Sequence, residues 1–404
     1  MLSILPLSSS ITPAGECAAV VDGIAARLIG RGVAHRFVAA ADGPDALLIV
    51  SGGTEHLALA ACEGAAGPVI LLAHPERNSL PAALEVLSRL RQQGRGGRIV
   101  LVNGTADGDA ALARLAGHLE VRRRLHSARL GRIGTPSDWL VASVPSADLV
   151  AAAWGPTVVD VPLAEVVEAL ADVDRGEAAA VRDEMVAGAD GVREPSPADL
   201  DAAAAVAIAL RRVVRRHRLD ACAVRCFDLV IDHGTTGCVA LSRLLDDGVV
   251  AGCEGDVPAT LTMLLLQLLT GQPAFMANPQ DLDPRANTLD LAHCTIARRL
   301  VSRYTLRSHF ESSLGVGIAG TLDRGPATLA RIGGDDLRDL FASDAEIVAG
   351  GDNPQRCRTQ VKLRLESPVA DLLVRSIGNH HVLARGHWAA ELRAYHELLV
   401  APSS

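Results

Sequence analysis

Apolar runs typical of strands alternate with helix-forming patterns through the first two thirds of the chain, and this alternation constrains the fold most. Two of the runs end in "SGGTE" (51–55) and "HPERNS" (74–79), where turn-forming residues lead into helical patterns. Strands that alternate with helices form parallel sheets covered on both faces. Ligands of such sheets bind beyond the carboxyl ends of the strands. The turns that follow the strands are therefore the first places to look for a site.

The pattern changes twice along the chain. A basic stretch, "VRRRLHSARLGRIG" (121–134), interrupts the alternation, and after about residue 285 period-2 segments such as "RTQVKLRL" (358–365) take over. We predict an α/β protein with two doubly wound parallel-sheet domains of Rossmann or flavodoxin type, followed by a β-rich, barrel-like domain. The predicted bounds of these domains are 1–125, 126–285 and 286–404.

Composition argues against several classes of function. The 404-residue chain carries a net charge of −8 and only 2% aromatic residues, which disfavours nucleic acid as a partner. Its longest apolar run has 11 residues and contains Gln267, whereas a bilayer span needs about 20. The eight cysteines lack CxxC spacing, and the N-terminus lacks the positive start of a signal peptide. We expect a cytoplasmic protein with free thiols and no membrane partner.

Two carboxylates occupy a turn inside the most apolar part of the chain. Glu254 and Asp256 follow one apolar run and precede another in "VVAGCEGDVPATLTMLLLQLLTG" (249–271). Ionised groups beside a buried core are costly unless they are paired or bind a cation. Asp256 stands just before Pro258, so it also fits the N-cap of a helix. Both interpretations, cation ligand and helix cap, remain open for Asp256.

Several histidines lie in the β-rich part of the chain. His293 follows a strand-like run, and His380 and His381 stand together in "GNHHVLARGH" (378–387). A carboxylate at a strand end and histidines from other strands can converge on one divalent cation. Such ligands suit Mn²⁺, Fe²⁺, Co²⁺ or Zn²⁺. The alternative for each histidine is an ordinary buried residue with satisfied hydrogen bonds.

The motifs of this region resemble those of the L-fucose isomerase and L-arabinose isomerase superfamily, in particular its shorter L-fucose isomerase-like branch. Besides the acidic turn, the resemblance rests on "VRCFDLV" (224–230), "LDLAHCTIA" (289–297), "SHFESSLGV" (308–316), "CRTQV" (357–361) and "GNHHVLARGH". Weaker similarity covers "NSLPAALE" (78–85) and "RIGTPSDWLVAS" (132–143).

The resemblance implies roles for individual residues. Glu254 matches a glutamate that binds the metal or transfers a proton, and His380 matches a metal-binding histidine. His381 is the competing assignment to His380, and His293 matches a further ligand. Fucose isomerases carry a second acidic ligand 24 residues after the glutamate, where this chain has Asn278.

An amide oxygen can bind a hard cation, but it cannot accept a proton as a carboxylate does. Asp256 and Asp228 are therefore candidates for the base that Asn278 cannot supply. Substrate contacts are expected from His309, Arg358, Gln360 and Asn278. Structural hydrogen bonding is the alternative role for these polar side chains.

The expected function is a divalent-metal-dependent aldose–ketose isomerase that acts on a sugar through an enediol, with Mn²⁺ or another divalent ion as cofactor. One alternative is another metal-assisted proton-transfer or carbon–carbon reaction on a sugar derivative. Another is a non-catalytic sugar-binding protein. The resemblance also implies a homo-oligomer, a trimer or hexamer, in which a neighbour's N-terminal domain completes the site.

Overall fold

The computed structural model describes residues 1–63 and 67–400. The chain forms two compact units, one comprising Met1–Arg123 with the chain from Ala394 onwards and the other comprising Arg124–Arg393. In the part of the chain that the structure describes, no helix combines the length and the apolar character needed to cross a membrane.

A parallel sheet forms the centre of the first unit. Among the described residues its strands lie in the order β2-β1-β3-β4-β5, and each neighbouring pair is parallel. All residues of β3 and β4 are buried, as expected for strands with helices on both faces. The strands are β1 (Leu2–Leu7), β2 (His35–Phe37), β3 (Ala46–Ile49), β4 (Val69–Ala73) and β5 (Gly97–Leu101).

A second parallel sheet begins the other unit, with the order β7-β6-β8-β9. Its strands are β6 (Arg129–Ile133), β7 (Thr157–Val161), β8 (Ala221–Val224) and β9 (Val250–Cys253). The strand β9 lies at the edge of the sheet and runs directly into the acidic turn. The two parallel sheets with flanking helices confirm the predicted α/β architecture.

Helices follow most strands of both sheets. They are α1 (Ala14–Gly30), α2 (Glu55–Ala61), α3 (Ser79–Gln92), α4 (Ala106–Ser127), α5 (Ala147–Trp154), α6 (Ala164–Ala171), α7 (Arg175–Ala187), α8 (Pro197–His217), α9 (Phe227–His233), α10 (Cys238–Asp246), α11 (Val257–Thr270), α12 (Asp371–Val374) and α13 (Ala389–Leu399). Short 3₁₀ helices cover Ala40–Asp42 and Arg298–Leu300.

The β-rich region forms a closed antiparallel barrel. Between residues 275 and 385, all of which the structure describes, six strands close in the order β10-β11-β16-β15-β14-β17, and β12 pairs with β13 beside them. The barrel confirms the predicted architecture of this region. The strands are β10 (Phe275–Asp283), β11 (Thr288–His293), β12 (Arg303–Arg307), β13 (Gly317–Thr321), β14 (Gly325–Gly333), β15 (Asp339–Gly350), β16 (Thr359–Leu365) and β17 (His381–Arg385).

Helices of the α/β part and the barrel share a hydrophobic core. Leu200 of α8 and Val239 of α10 belong to the same buried cluster as Phe275, Leu329 and Leu383 of the barrel. Burial of this joint surface fixes helices of the α/β part against the barrel wall. The predicted division of the chain into three domains, with a boundary at residue 285, stays a prediction.

Candidate metal site

The acidic turn has a constrained backbone. Glu254 adopts a left-handed φ of 63°, and Gly255 follows with a φ of 72°. A left-handed conformation costs a residue with a side chain about 1–2 kcal/mol. A Cβ on Gly255 would lie 2.8 Å from the Cα of Pro136, so glycine is required for this close approach. Backbone strain of this kind is typical of functional sites.

The carboxylate of Glu254 accepts one hydrogen bond and has a histidine close to its other oxygen. The indole Nε1 of Trp139 donates to Oε2 at 2.6 Å, and Nε2 of His380 lies 3.5 Å from Oε1. Burial disfavours the charged form of Glu254, but His380 and Trp139 outweigh it and lower the pKa of the carboxyl. Glu254 is therefore ionised at neutral pH.

Asp256 is completely buried and has several donors around it. Its Oδ1 accepts the N–H of Ala259 at 2.8 Å, so Asp256 is the N-cap of α11. Its Oδ2 accepts from Arg331 Nη1 at 3.0 Å and lies 2.9 Å from Nδ1 of His380. Burial opposes ionisation, but Arg331 and His380 lower the pKa of Asp256 to about 2. The predicted cap is confirmed, and the same side chain also orients a histidine.

His380 lies between the two carboxylates, immediately before β17. Burial alone would lower its pKa, but Asp256 and Glu254 raise the pKa of His380 to about 9. Among the described residues its buried Nε2 has no hydrogen-bond partner. In the absence of a cation, an imidazolium at His380 and the guanidinium of Arg331 together balance the two carboxylates.

His293 stands at the end of β11, opposite His380. The two ring centroids are 5.7 Å apart, and the N–H of Thr295 donates to Nδ1 of His293 at 3.2 Å. Burial lowers the pKa of His293 to about 3, which keeps the ring neutral. A neutral imidazole is the form that binds metals.

Glu254, His293 and His380 together fit a metal ion. One potential ligand atom from each lies within 4.8 Å of the other two, and the residues that the structure describes contain no other such group of histidine, cysteine and acidic side chains. One carboxylate and two imidazoles suit Mn²⁺, Fe²⁺, Co²⁺ or Zn²⁺. The unpartnered Nε2 of His380 and the Asp256 carboxylate behind its Nδ1 are the arrangement of a metal-binding histidine.

A cavity of about 600 Å³ opens onto this group. Its size is that of a small-molecule site. Polar and titratable side chains on its wall include Glu254, Asn278, Gln280, His293, His309, Glu311, Ser312 and Asn379. Apolar and thiol side chains complete it, namely Trp139, Cys226, Phe227, Val230, Ile231, Cys238, Cys253, Cys294, Phe310 and Cys357. The wall of the cavity thus combines hydrogen-bonding groups with apolar surface.

The structure places His381 outside this group. Its Nδ1 lies 3.2 Å from the carbonyl oxygen of Asn379, and its ring meets Phe341 edge-on at 5.6 Å. Successive side chains of a strand point to opposite faces, which separates His381 from His380. Burial lowers the pKa of His381 to about 4. The position favours His380 over His381 as the ligand.

Other predicted site residues make structural contacts. Both oxygens of Asp228 accept from Nε of Arg225 at 2.9 Å. Gln360 donates to the carbonyl groups of Asn353 and Cys357 at 2.7 and 3.0 Å. These bonds occupy both side chains, and neither residue lines the cavity.

Arg358 also lies outside the cavity wall and donates to the carbonyl oxygen of Ser308 at 2.7 Å. His309 and Asn278 do line the cavity, where Asn278 accepts from Nδ2 of Asn379 at 3.4 Å. The catalytic, substrate-binding and metal-binding roles of the predicted site residues all stay predictions.

Two residues of the site escape sequence reasoning. Trp139 binds Glu254 from the loop after β6, and Arg331 binds Asp256 from the barrel strand β14. Arg331 is a lone charge in the apolar run "ATLARIG" (327–333), which is a signal that such a residue is paired in the core. Trp139 is one of three tryptophans in the chain, in a segment already similar to the isomerases.

Comparison with known proteins gives sugar isomerases as relatives. No family model matches the chain. The chain is 27% identical to a sulfoquinovose isomerase of Clostridium sp. (strain MSTE9) over 241 residues, which is 58% of this chain and 54% of the relative. It is 27% identical to one of Alkalicoccus urumqiensis over 207 residues, 48% of this chain and 46% of the relative. The alignments thus span about half the length of these curated relatives, and over that span the chain is similar to sulfoquinovose isomerases.

Proposed function

We propose that the protein is a divalent-metal-dependent aldose–ketose isomerase that acts on a sugar or a sugar derivative. One observation carries the proposal: Glu254, His293 and His380 offer ligand atoms within 4.8 Å of one another. Glu254 and His293 lie on the wall of a cavity of about 600 Å³, and Asn379, the residue before His380, lines it as well. The similarity to sulfoquinovose isomerases adds the class of reaction.

Glu254, His293 and His380 would hold the metal. When bound, a divalent ion polarises the carbonyl and the neighbouring hydroxyl of the sugar, which makes the carbon-bound proton easier to remove. The chain's own contribution is to keep Glu254 ionised and His293 neutral, and to direct Nε2 of His380 away from Asp256. Mn²⁺ is the ion that we propose first.

Proton transfer between C1 and C2 needs a group that reaches the substrate. Both carboxylate oxygens of Asp256 are occupied by protein donors, and Asp228 is paired with Arg225 outside the cavity wall. His309 lines the cavity, and burial lowers its pKa, so the ring is neutral at pH 7 and able to accept a proton. We therefore assign the proton transfer to His309, in preference to the two aspartates.

A metal and activity assay tests the proposal. The protein is expressed in medium containing Mn²⁺, its metal content is measured, and aldoses are incubated with it while ketose formation is followed by NMR. The panel includes neutral and 6-deoxy sugars and sulfoquinovose itself. We expect bound metal and conversion of at least one sugar. A protein that retains no metal and converts no sugar with added Mn²⁺ contradicts the proposal.

Two substitutions separate binding from chemistry. Glu254→Gln removes a charged ligand, so we expect it to abolish tight Mn²⁺ binding and turnover together. His309→Asn should leave Mn²⁺ affinity unchanged and lower kcat by about 10²–10⁴-fold, the usual effect of losing a general base. The matched control is Glu311→Gln, an exposed acid of the same cavity. If Glu254→Gln leaves the affinity for a sugar unaltered, a non-catalytic sugar-binding protein is the better description.

We also propose a cytoplasmic homo-oligomer. Large apolar side chains are exposed on the second unit, among them Val141 (84% exposed), Ile231 (76%) and Val374 (82%). Exposed apolar groups of this size are common at subunit interfaces. Light scattering coupled to size exclusion should give the mass of a trimer or hexamer, and a monomer at micromolar concentration would contradict the assembly.

A further inference from the structure

Arg331 lies on β14 in the wall of the barrel, with a side chain 0% exposed. A buried guanidinium is costly unless hydrogen bonds and an opposite charge compensate it. Nη1 donates to Oδ2 of Asp256 at 3.0 Å and to the main-chain carbonyl of His380 at 2.8 Å. Nη2 donates to Oγ of Ser143 at 2.7 Å. The arginine thus contacts both the side chain that orients His380 and the backbone of His380 itself.

The neighbouring backbone leaves room for this guanidinium. Gly378 has a φ of +140°, and a Cβ at that position would lie 2.3 Å from Nη2 of Arg331. The glycine stands two residues before His380, in the segment that leads into β17. The arginine can therefore approach this segment only because Gly378 has no Cβ.

The ring of His380 is fixed from the side opposite the proposed metal. Oδ2 of Asp256 lies 2.9 Å from Nδ1, and the same oxygen accepts from Arg331. Oδ1 of Asp256 is held by the N–H of Ala259 at the start of α11. Because these hydrogen bonds fix the position of the Asp256 carboxylate, they also fix the orientation of the His380 ring. In that orientation Nδ1–H donates to Asp256 and Nε2 points towards Glu254.

We propose that Arg331 is a positioning residue for the metal ligand His380, acting on its ring through Asp256 and on its main chain through the carbonyl. The inference rests on the proposed function. Outer contacts of metal-binding histidines set the ligand geometry, and their loss weakens metal affinity about 10–100-fold. A salt bridge that served folding alone would affect stability and leave metal affinity unaltered.

The test measures Mn²⁺ affinity by calorimetry and thermal unfolding by circular dichroism, on the full chain. Arg331→Met should weaken Mn²⁺ binding by about 10–100-fold, and Arg331→Lys, which keeps the charge but loses the planar fork, should recover part of it. The matched control is Arg298→Met. Arg298 is also paired with an aspartate, Asp246, at 2.7 Å, but it lies outside the site. The control should lower the unfolding temperature and leave Mn²⁺ affinity at the wild-type value.

A double-mutant cycle shows whether Arg331 acts through Asp256. When two residues act as one unit, the effects of substituting them do not add. We expect Arg331→Met combined with Asp256→Asn to bind Mn²⁺ no more weakly than the weaker single variant. The inference is overturned if the losses of Mn²⁺ affinity in the two single variants are fully additive. It is also overturned if a folded Arg331→Met or Arg331→Lys variant binds Mn²⁺ with wild-type affinity. Either result leaves the proposed function standing. A wild-type protein that binds no divalent ion overturns the proposed function as well, so the two failures are distinguishable.

Discussion

Trp139 donates its indole N–H to Oε2 of Glu254 at 2.6 Å, across 115 residues of chain. The bond joins the loop after β6 to the turn after β9, and both lie at the carboxyl ends of the strands of the second sheet. The carbonyl oxygen of Glu254 also accepts the N–H of Ser137 at 2.8 Å. Backbone and side chain of Glu254 are therefore both anchored to one loop.

Trp139→Phe should weaken Mn²⁺ binding about tenfold, because the carboxylate loses a donor that orients it while the aromatic contact with Phe227 is kept. Calorimetric titration with Mn²⁺ measures the effect. The control is Trp154→Phe, since Nε1 of Trp154 donates to the carbonyl of Leu337 instead. Equal Mn²⁺ affinity in the two variants would show that the Trp139 bond has no role in the site.

The stability of the metal-free protein should fall as the pH rises from 6.5 to 9. The pKa of His380 is about 9 in the folded chain against an ordinary 6.5. Because the pKa of His380 is higher in the folded chain, its protonation stabilises the fold. This contribution is fully present below pH 6.5 and is lost as the pH rises through about 9. The difference amounts to about 3 kcal/mol.

Urea unfolding of the EDTA-treated protein at pH 6 and pH 9.5 measures this loss. The control is His380→Gln, which has no ring to titrate and should lose less stability over the same interval. Identical pH dependence in both proteins would refute the assignment. Added Mn²⁺ should flatten the wild-type curve, because a metal-bound imidazole carries no second proton.

Asn278→Asp should strengthen Mn²⁺ binding. The residue lines the cavity beside the proposed ligands, and a carboxylate there adds an anionic oxygen that hard cations favour. Calorimetry measures the affinity, and Gln280→Glu, a neighbouring position on the same wall, is the control. If Asn278→Asp raises turnover of a neutral sugar as well, this chain needs only that carboxylate for ordinary isomerisation. Stronger binding without faster turnover favours a different metal-assisted reaction.

His381→Gln should leave Mn²⁺ affinity within about twofold of wild type, because small changes are expected for a side chain outside the ligand group. The ring packs against Phe341, so a modest loss of thermal stability is expected. His380→Gln in the same assay provides the comparison and should lose tight binding. The reverse order of the two affinities would reassign the ligand to His381.

The fold was predictable because strand and helix patterns are local. Runs such as Val69–Ala73 and Val250–Cys253 are buried on both faces and therefore apolar throughout. The period-2 stretch at 359–365 became β16 of the barrel. Strands β13 and β14 are joined by a short turn, but β13 pairs with β12 and β14 pairs with β15. Strand partners depend on long-range packing, which the local pattern does not encode.

Part of the site was also predictable. Glu254 directly follows β9 and His293 is the last residue of β11, and motif resemblance singled them out with His380. The choice between His380 and His381 depends on the register of β17, which pairs His381 with Ala277. Arg331 could not be assigned to Asp256 from sequence, since 75 residues separate them and no pattern links the two. The same holds for Trp139.

The core common to helices α8 and α10 and the barrel has a mechanical consequence. Glu254 follows strand β9 of the second sheet, His293 ends the barrel strand β11 and His380 immediately precedes β17. Helices α8 and α10 pack against the barrel in one buried cluster. A hinge motion between these helices and the barrel would have to expose Leu200, Phe275 and Leu329 to water. We therefore expect the distance between Glu254 and the two histidines to change little when a ligand enters the cavity.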